Sequence, residues 1–154
     1  MEVQKDTYIN AKAEQFREFI MQNNMNFFGA EEKKDELNTV IFRTELDLNG
    51  QRLPLLLFTD DSIYTVIKIR IIPCVTKEKS KEKLLVYINK MNASYKIFKY
   101  YITEEGDTVL DISLPCSKDF FDPRMVTAAI DLAMQHLGEV YADFMKLVWS
   151  DDVQ

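Results

Sequence analysis

The chain predicts an α+β domain of two layers, an antiparallel five-stranded sheet with helices packed on one face. Three observations point there. An apolar stripe over residues 122–150 recurs every three or four positions, hydrophobicity over 38–72 follows the two-residue period of strands, and Asn49-Gly50 separates two such runs. With 154 residues, 47% hydrophobic and 29% charged, the totals fit one globular domain spanning 1–154.

The first helix is expected to open at Asp6 or Thr7. Ile9, Ala13, Phe16, Phe19 and Ile20 then share one face, Lys12, Glu14, Arg17 and Glu18 fall largely elsewhere, and the helix ends near Asn23-Asn24. Residues 25–36 join Phe27-Phe28-Gly29 to the charged run 31–36 and read as a connecting loop, its two phenylalanines placed to plug the edge of the core.

From Asn38 the period becomes two. Val40, Phe42, Leu46 and Leu48 alternate with Arg43, Glu45 and Asp47, and Asn49-Gly50 suits a type I′ turn, in which both central residues need φ > 0. In the next strand, 51–58, Pro54 lacks a ladder donor and marks a bulge or an unpaired position. A third strand, 63–72, puts Ile63, Thr65, Ile67, Ile69 and Ile71 on one face and Tyr64, Val66, Lys68, Arg70 and Ile72 on the other, and Pro73 ends it.

Helical spacing returns over 76–92, with Leu84, Tyr87, Ile88 and Met91 on one side and Leu85 and Val86 pointing elsewhere. That is more apolar surface than one stripe requires. Either the helix is wedged between sheet and loop, or Leu85 and Val86 form a second contact surface, such as a dimer contact. Two strands follow, 95–103 and 107–114, joined through Gly106, which suits a left-handed turn position. Thr108, Leu110, Ile112 and Leu114 alternate with Val109, Asp111 and Ser113, whereas neither face of 95–103 is clearly polar and its register stays open. The last helix has Asp122 as its cap and Pro123 at the first helical position. Its stripe is Val126, Ile130, Ala133, Leu137, Val140, Tyr141, Phe144 and Val148, while Gly138 reads as a point of close packing or a slight bend.

Net charge −6 and a pI near 4.9 remove long-range attraction to nucleic acid or an anionic membrane. Residues 1–6 show no apolar leader and no run of about eighteen apolar residues occurs, so the chain is expected in the cytoplasm, with Cys74 and Cys116 as reduced thiols. Chemistry is scarce. His136, the one histidine, reads as hydrogen-bonded at the sheet's edge; a Cys116–His136 nucleophile pair and a Cys74/Cys116/His136 metal site lack supporting spacing. The carboxylate pairs Asp60-Asp61, Glu104-Glu105 and Asp151-Asp152 sit in turns or at the terminus, and the four glycines are isolated from one another, so no phosphate loop is formed. No catalytic, cofactor-binding or metal-ligating residue is assigned, no cofactor is expected, and the chain does not read as an enzyme.

With helices on one face, the other face shows Arg43, Glu45, Asp47, Lys68, Arg70 and Asp111 together with Leu56, Phe58, Tyr64, Val66 and Val109. Those five apolar residues are the expected contacts if the face takes a protein partner, since mixed apolar and charged faces are common on such interfaces; the same mixture is equally the ordinary outside of a sheet.

Residues 84–92, Leu-Leu-Val-Tyr-Ile-Asn-Lys-Met-Asn, followed by the hairpin at Gly106-Asp107-Thr108-Val109-Leu110 and by Leu114-Pro115, resemble the YbjN family. There a helix ending in an N-x-[LM]-N pattern leads to a hairpin with a GD turn and then a capped long helix. The resemblance extends over about Lys5 to Trp149 in element order and Leu84 to Val148 in residue pattern. It implies the fold of type III secretion chaperones, in the order helix, three strands, helix, two strands, helix. It also implies a non-enzymatic, homodimeric module that binds protein segments, or a regulator of sensory transduction. The alternative is a small-ligand-binding domain or cryptic enzyme with a pocket between sheet and helices, which needs a polar group buried beside His136 or Cys116.

Overall fold

A computed structural model describes residues 7–75 and 77–149. Three helices and one open antiparallel sheet make an α+β domain, as expected, but the sheet has six strands. In chain order the elements are α1 (Ala11–Gln22), β1 (Gly29–Glu32), β2 (Val40–Leu48), β3 (Gln51–Thr59), β4 (Tyr64–Ile72), α2 (Glu78–Ser94), β5 (Lys99–Ile102), β6 (Thr108–Pro115) and α3 (Pro123–Trp149). Across the sheet the order is β1-β2-β3-β4-β6-β5. The additional strand is β1, drawn from the segment expected to be a loop. Its charged residues are compatible with a strand because it is an edge, where Glu31 lies on the outer surface and pairs with Lys33 (2.6 Å) and Arg43.

Helix α1 begins later than expected. Its cap is Asn10, whose side chain accepts from the Ala13 N–H (3.1 Å) and also donates to the Asn38 carbonyl and to Thr59 Oγ1. Asp6 lies outside the described residues, and Ile9, outside the helix, is exposed. Phe16 meets Phe42 of β2 (ring centroids 4.8 Å) and Phe28 (5.3 Å). Phe28 therefore plugs the core's edge, whereas Phe27 remains exposed.

The Asn49-Gly50 turn has φ of 53° and 87°, as type I′ geometry requires, and the Gly50 N–H donates to Asp47 Oδ1 (2.9 Å). Pro54 causes no bulge; it pairs in register with Glu45. Counting from the closing pair Leu48–Gln51, this is a non-hydrogen-bonded site, and β4 pairs with β3 only from Leu55 onward, so no donor is missed. The irregularity lies in β4, between Arg70 and Ile72, where two residues oppose one of β6 and both Ile71 and Ile72 become buried. Ile63, expected on the inner face, precedes the strand and is exposed.

The register of β5 is settled by its partners. Tyr100 faces the helices and is buried, while Lys99 and Tyr101 face outward. Asn92 of α2 completes this edge: its side-chain amide donates to the Tyr100 carbonyl (3.0 Å) and accepts from the Tyr100 N–H (2.8 Å), as a neighbouring strand would.

In α3, Asp122 accepts from the Arg124 N–H (2.9 Å) ahead of Pro123. Val126, Ala129, Ala133, Leu137, Val140, Phe144 and Val148 line the buried side, with Ile130 and Tyr141 at its margins. Gly138 is not a packing point. A Cβ there would meet nothing within 4 Å. Gly138→Ala should therefore raise the free energy of unfolding by about 0.5–1 kcal/mol, by removing glycine's excess freedom in the unfolded chain. Urea titration would show this, and a loss of stability would contradict the open space assigned there.

Candidate functional site

All three helices contribute to one core with the inner face of the sheet, and no described helix lies over the other face. Cross-strand register arranges that outer face in rows: Ile41–Phe58–Val66–Ser113, then Arg43–Leu56–Lys68–Asp111–Lys99, then Arg70–Val109–Tyr101. Leu56, Phe58 and Val66 are half-buried and Tyr64, at one end, is 53% exposed. These four form the apolar part of the surface. Val109 does not join them; at 3% exposure it is buried, flanked by the long side chains of Arg70 and Tyr101. Sequence alternation assigns a residue's face but not how far its neighbours cover it. Ile41, which the sequence reading overlooked, belongs to the same strip, although it is buried; its pairing with Phe58 across the hairpin was the available signal.

Asp111 is also buried, in contrast to the expectation of an exposed carboxylate. It accepts from Lys68 Nζ (3.0 and 3.1 Å) and from the Tyr101 hydroxyl (3.0 Å), and Lys68 Nζ also contacts that hydroxyl. Burial disfavours the Lys68 charge, but the bonds to Tyr101 and Asp111 outweigh it and hold the ammonium above its usual value. Lys99 lies over the Tyr101 ring at 5.4 Å. The apolar strip is thus bordered on one side by a fixed ionic cluster.

The second surface lies on the helix layer. Leu85 and Val86 are 48% and 74% exposed, while Leu84, Ile88 and Met91 are buried. Both stand outside the buried core that Leu84, Ile88 and Met91 join.

His136 sits where a histidine at the sheet's edge was expected. Its Nε2 meets the Tyr100 hydroxyl at 2.5 Å, its ring stacks on Phe98 (4.3 Å) and lies edge-on to Tyr95 (4.3 Å). Nδ1 has no hydrogen-bond partner among the described residues. Burial lowers the imidazole pKa below its usual value, and Glu139 opposes this. A hollow of about 250 Å³ adjoins the ring, bounded by Tyr95, Ile97 and Leu132. Cys116 is remote: it lies six positions beyond Leu110, the partner of Tyr100, or roughly 20 Å along the strand direction. The Cys116–His136 pair is therefore not assembled, and no group of three metal-ligating side chains occurs among the described residues.

A buried lysine was not anticipated. Lys12 of α1 is 1% exposed, and its Nζ donates to the carbonyls of Ser62 (2.9 Å) and Tyr64 (2.7 Å) and to Thr65 Oγ1 (3.1 Å). Burial lowers its pKa, partly countered by Asp60, Cys116 and Asp61. All three ammonium protons are used, so Lys12 reads as a tether between α1 and the start of β4.

Fold and surface together define an α+β domain with one sheet face uncovered by described helices. No model of a known protein family matches the chain, and neither does any curated protein. No described helix is long and apolar enough to cross a membrane.

Proposed function

We propose that the chain is a non-enzymatic protein-interaction module, chaperone-like or regulatory, acting in the cytoplasm as a homodimer without nucleic acid, and binding a protein partner on the outer sheet face. The observation that carries this is the strip of Leu56, Phe58, Val66 and Tyr64 that no described helix covers, beside the Lys68–Asp111–Tyr101 cluster. The resemblance to the YbjN family and its secretion-chaperone-like fold supports the reading, with β1 as an addition to that element order. Leu85 and Val86 are proposed as the dimer contact, on the helix layer and so compatible with a partner on the sheet.

Tyr64→Asp and Phe58→Asp test the sheet face. Tagged protein returned to lysate of its source organism should capture a stoichiometric partner, and both variants should lose it by at least about tenfold, since a charge placed in an apolar contact loses its hydration unpaired. Circular dichroism checks that each variant is folded, and light scattering on the same samples reports the dimer. Capture unchanged in both folded variants would sink the sheet-face reading.

A small-ligand domain is the second reading, favoured by one observation, the unpartnered Nδ1 of His136 beside the 250 Å³ hollow.

A further inference from the structure

Strand β1 pairs with only the first part of β2, its last pair being Gly29–Arg43. Beyond it, Thr44 to Leu48 have β3 on one side and no strand on the other among the described residues. The turn makes Leu48–Gln51 a hydrogen-bonded pair, so Leu46 and Thr44 also turn their peptide groups toward β3. Those of Glu45 and Asp47 consequently point into the open strand position. Two hollows flank this stretch, one on each sheet face, and both are bounded by Phe27, Thr44 and Glu45. The outer one, about 600 Å³, also has Asp47 and Arg52; the inner one, about 220 Å³, has Leu46, Ile130 and Met134. Phe27, 61% exposed, borders both. At the opposite edge the corresponding position is closed by Asn92.

We infer that the edge at Glu45–Asp47, which no described strand covers, accepts a short extended segment of a partner protein, carrying basic, apolar and basic residues in succession. Residues of an added strand alternate between the two faces, so those opposite Glu45 and Asp47 lie on the outer face and the one between enters the apolar inner hollow. Charge chooses the flanking residues. Among the described residues Glu45 and Asp47 have one cation between them, Arg52, which is 3.6 Å from Glu45 and directly opposite Asp47, whereas Arg43 is already paired with Glu31. A second copy of this chain is disfavoured by the same charges. Antiparallel pairing of two β2 edges about Leu46 would oppose Glu45 to Asp47 twice, and centring on either acid would oppose it to itself.

The inference rests on the chain being a protein-binding module but uses the sheet's edge, not its face. The test takes the full chain with two synthetic pentapeptides, Thr-Lys-Val-Lys-Thr and Thr-Glu-Val-Glu-Thr, both blocked at their ends. Saturating lysine peptide should slow hydrogen exchange of the Glu45 and Asp47 amides by about tenfold. It should bind about fivefold more tightly than the glutamate peptide, a preference that Glu45→Lys abolishes. A lysine peptide N-methylated at its valine and both lysines should give no protection. Equal binding of both charge types, protection at other amides only, or Glu45 and Asp47 amides already protected in the free protein would overturn the inference. Tyr64→Asp, at the far end of the sheet, should leave peptide binding unchanged, so failure of the sheet-face reading and failure of this one are separable.

Discussion

Replacing Lys12 by alanine should lower the free energy of unfolding by about 3–4 kcal/mol, among the largest losses for any polar residue in the chain. Lys12 Nζ satisfies two backbone carbonyls and a threonine hydroxyl at the start of β4. Truncation leaves them without their donor and removes a buried aliphatic stem that packs α1 against the sheet. Lys12→Met separates these contributions. It keeps the stem, loses the three bonds, and should cost about 2 kcal/mol. For a domain of this size the alanine variant should melt roughly 10 °C lower. An alanine variant within about 0.5 kcal/mol of wild type in urea titration would mean that the three acceptors find other partners and that Lys12 is no tether.

Mild acid should destabilise the domain through His136. Burial holds the folded-state pKa below the ordinary 6.5 of a histidine. Above about pH 7.5 both folded and unfolded chains carry a neutral imidazole and the full stability is present. As pH falls below that, the unfolded chain takes up a proton that the folded one resists, so stability drops until the folded-state pKa is reached and then levels off. His136 is the one histidine of the chain, so a slope between about pH 7.5 and 5.5 is assignable to it. His136→Leu should flatten the slope. Tyr100→Phe removes the one hydrogen bond that the ring makes among the described residues and should cost about 1–3 kcal/mol at neutral pH. Unfolding free energies that do not change over that pH window in the wild type would show that the folded form accepts the imidazolium and would overturn the assignment.

The residues that sequence reasoning placed well are those whose signals are local. Asn49-Gly50 demands positive φ wherever it lies, Pro123 behind Asp122 starts a helix by its own geometry, and the α3 stripe repeats often enough that no single neighbour can shift it. The faces of β4 were legible for the same reason, up to the Arg70/Ile72 irregularity. From these the α+β class and the outward-facing apolar strip of Leu56, Phe58, Tyr64 and Val66 could be drawn before any coordinates.

What tertiary structure decided are choices made by partners far along the chain. Asp6, Thr7 and Asn10 are all competent caps, and Asn10 is used because it also reaches Asn38 and Thr59. Glu31 and Glu32 lack strand propensity, yet they enter β1 because backbone pairing with β2 does not depend on side-chain hydrophobicity at an exposed edge. Tyr100 could face either way until Asn92 and His136 bind its backbone and hydroxyl. Lys12 is buried because three acceptors converge where its ammonium ends, and Val109 is covered because Arg70 and Tyr101 flank it. Periodicity reports which way a side chain points; whether water reaches it depends on neighbours that only the assembled fold brings near.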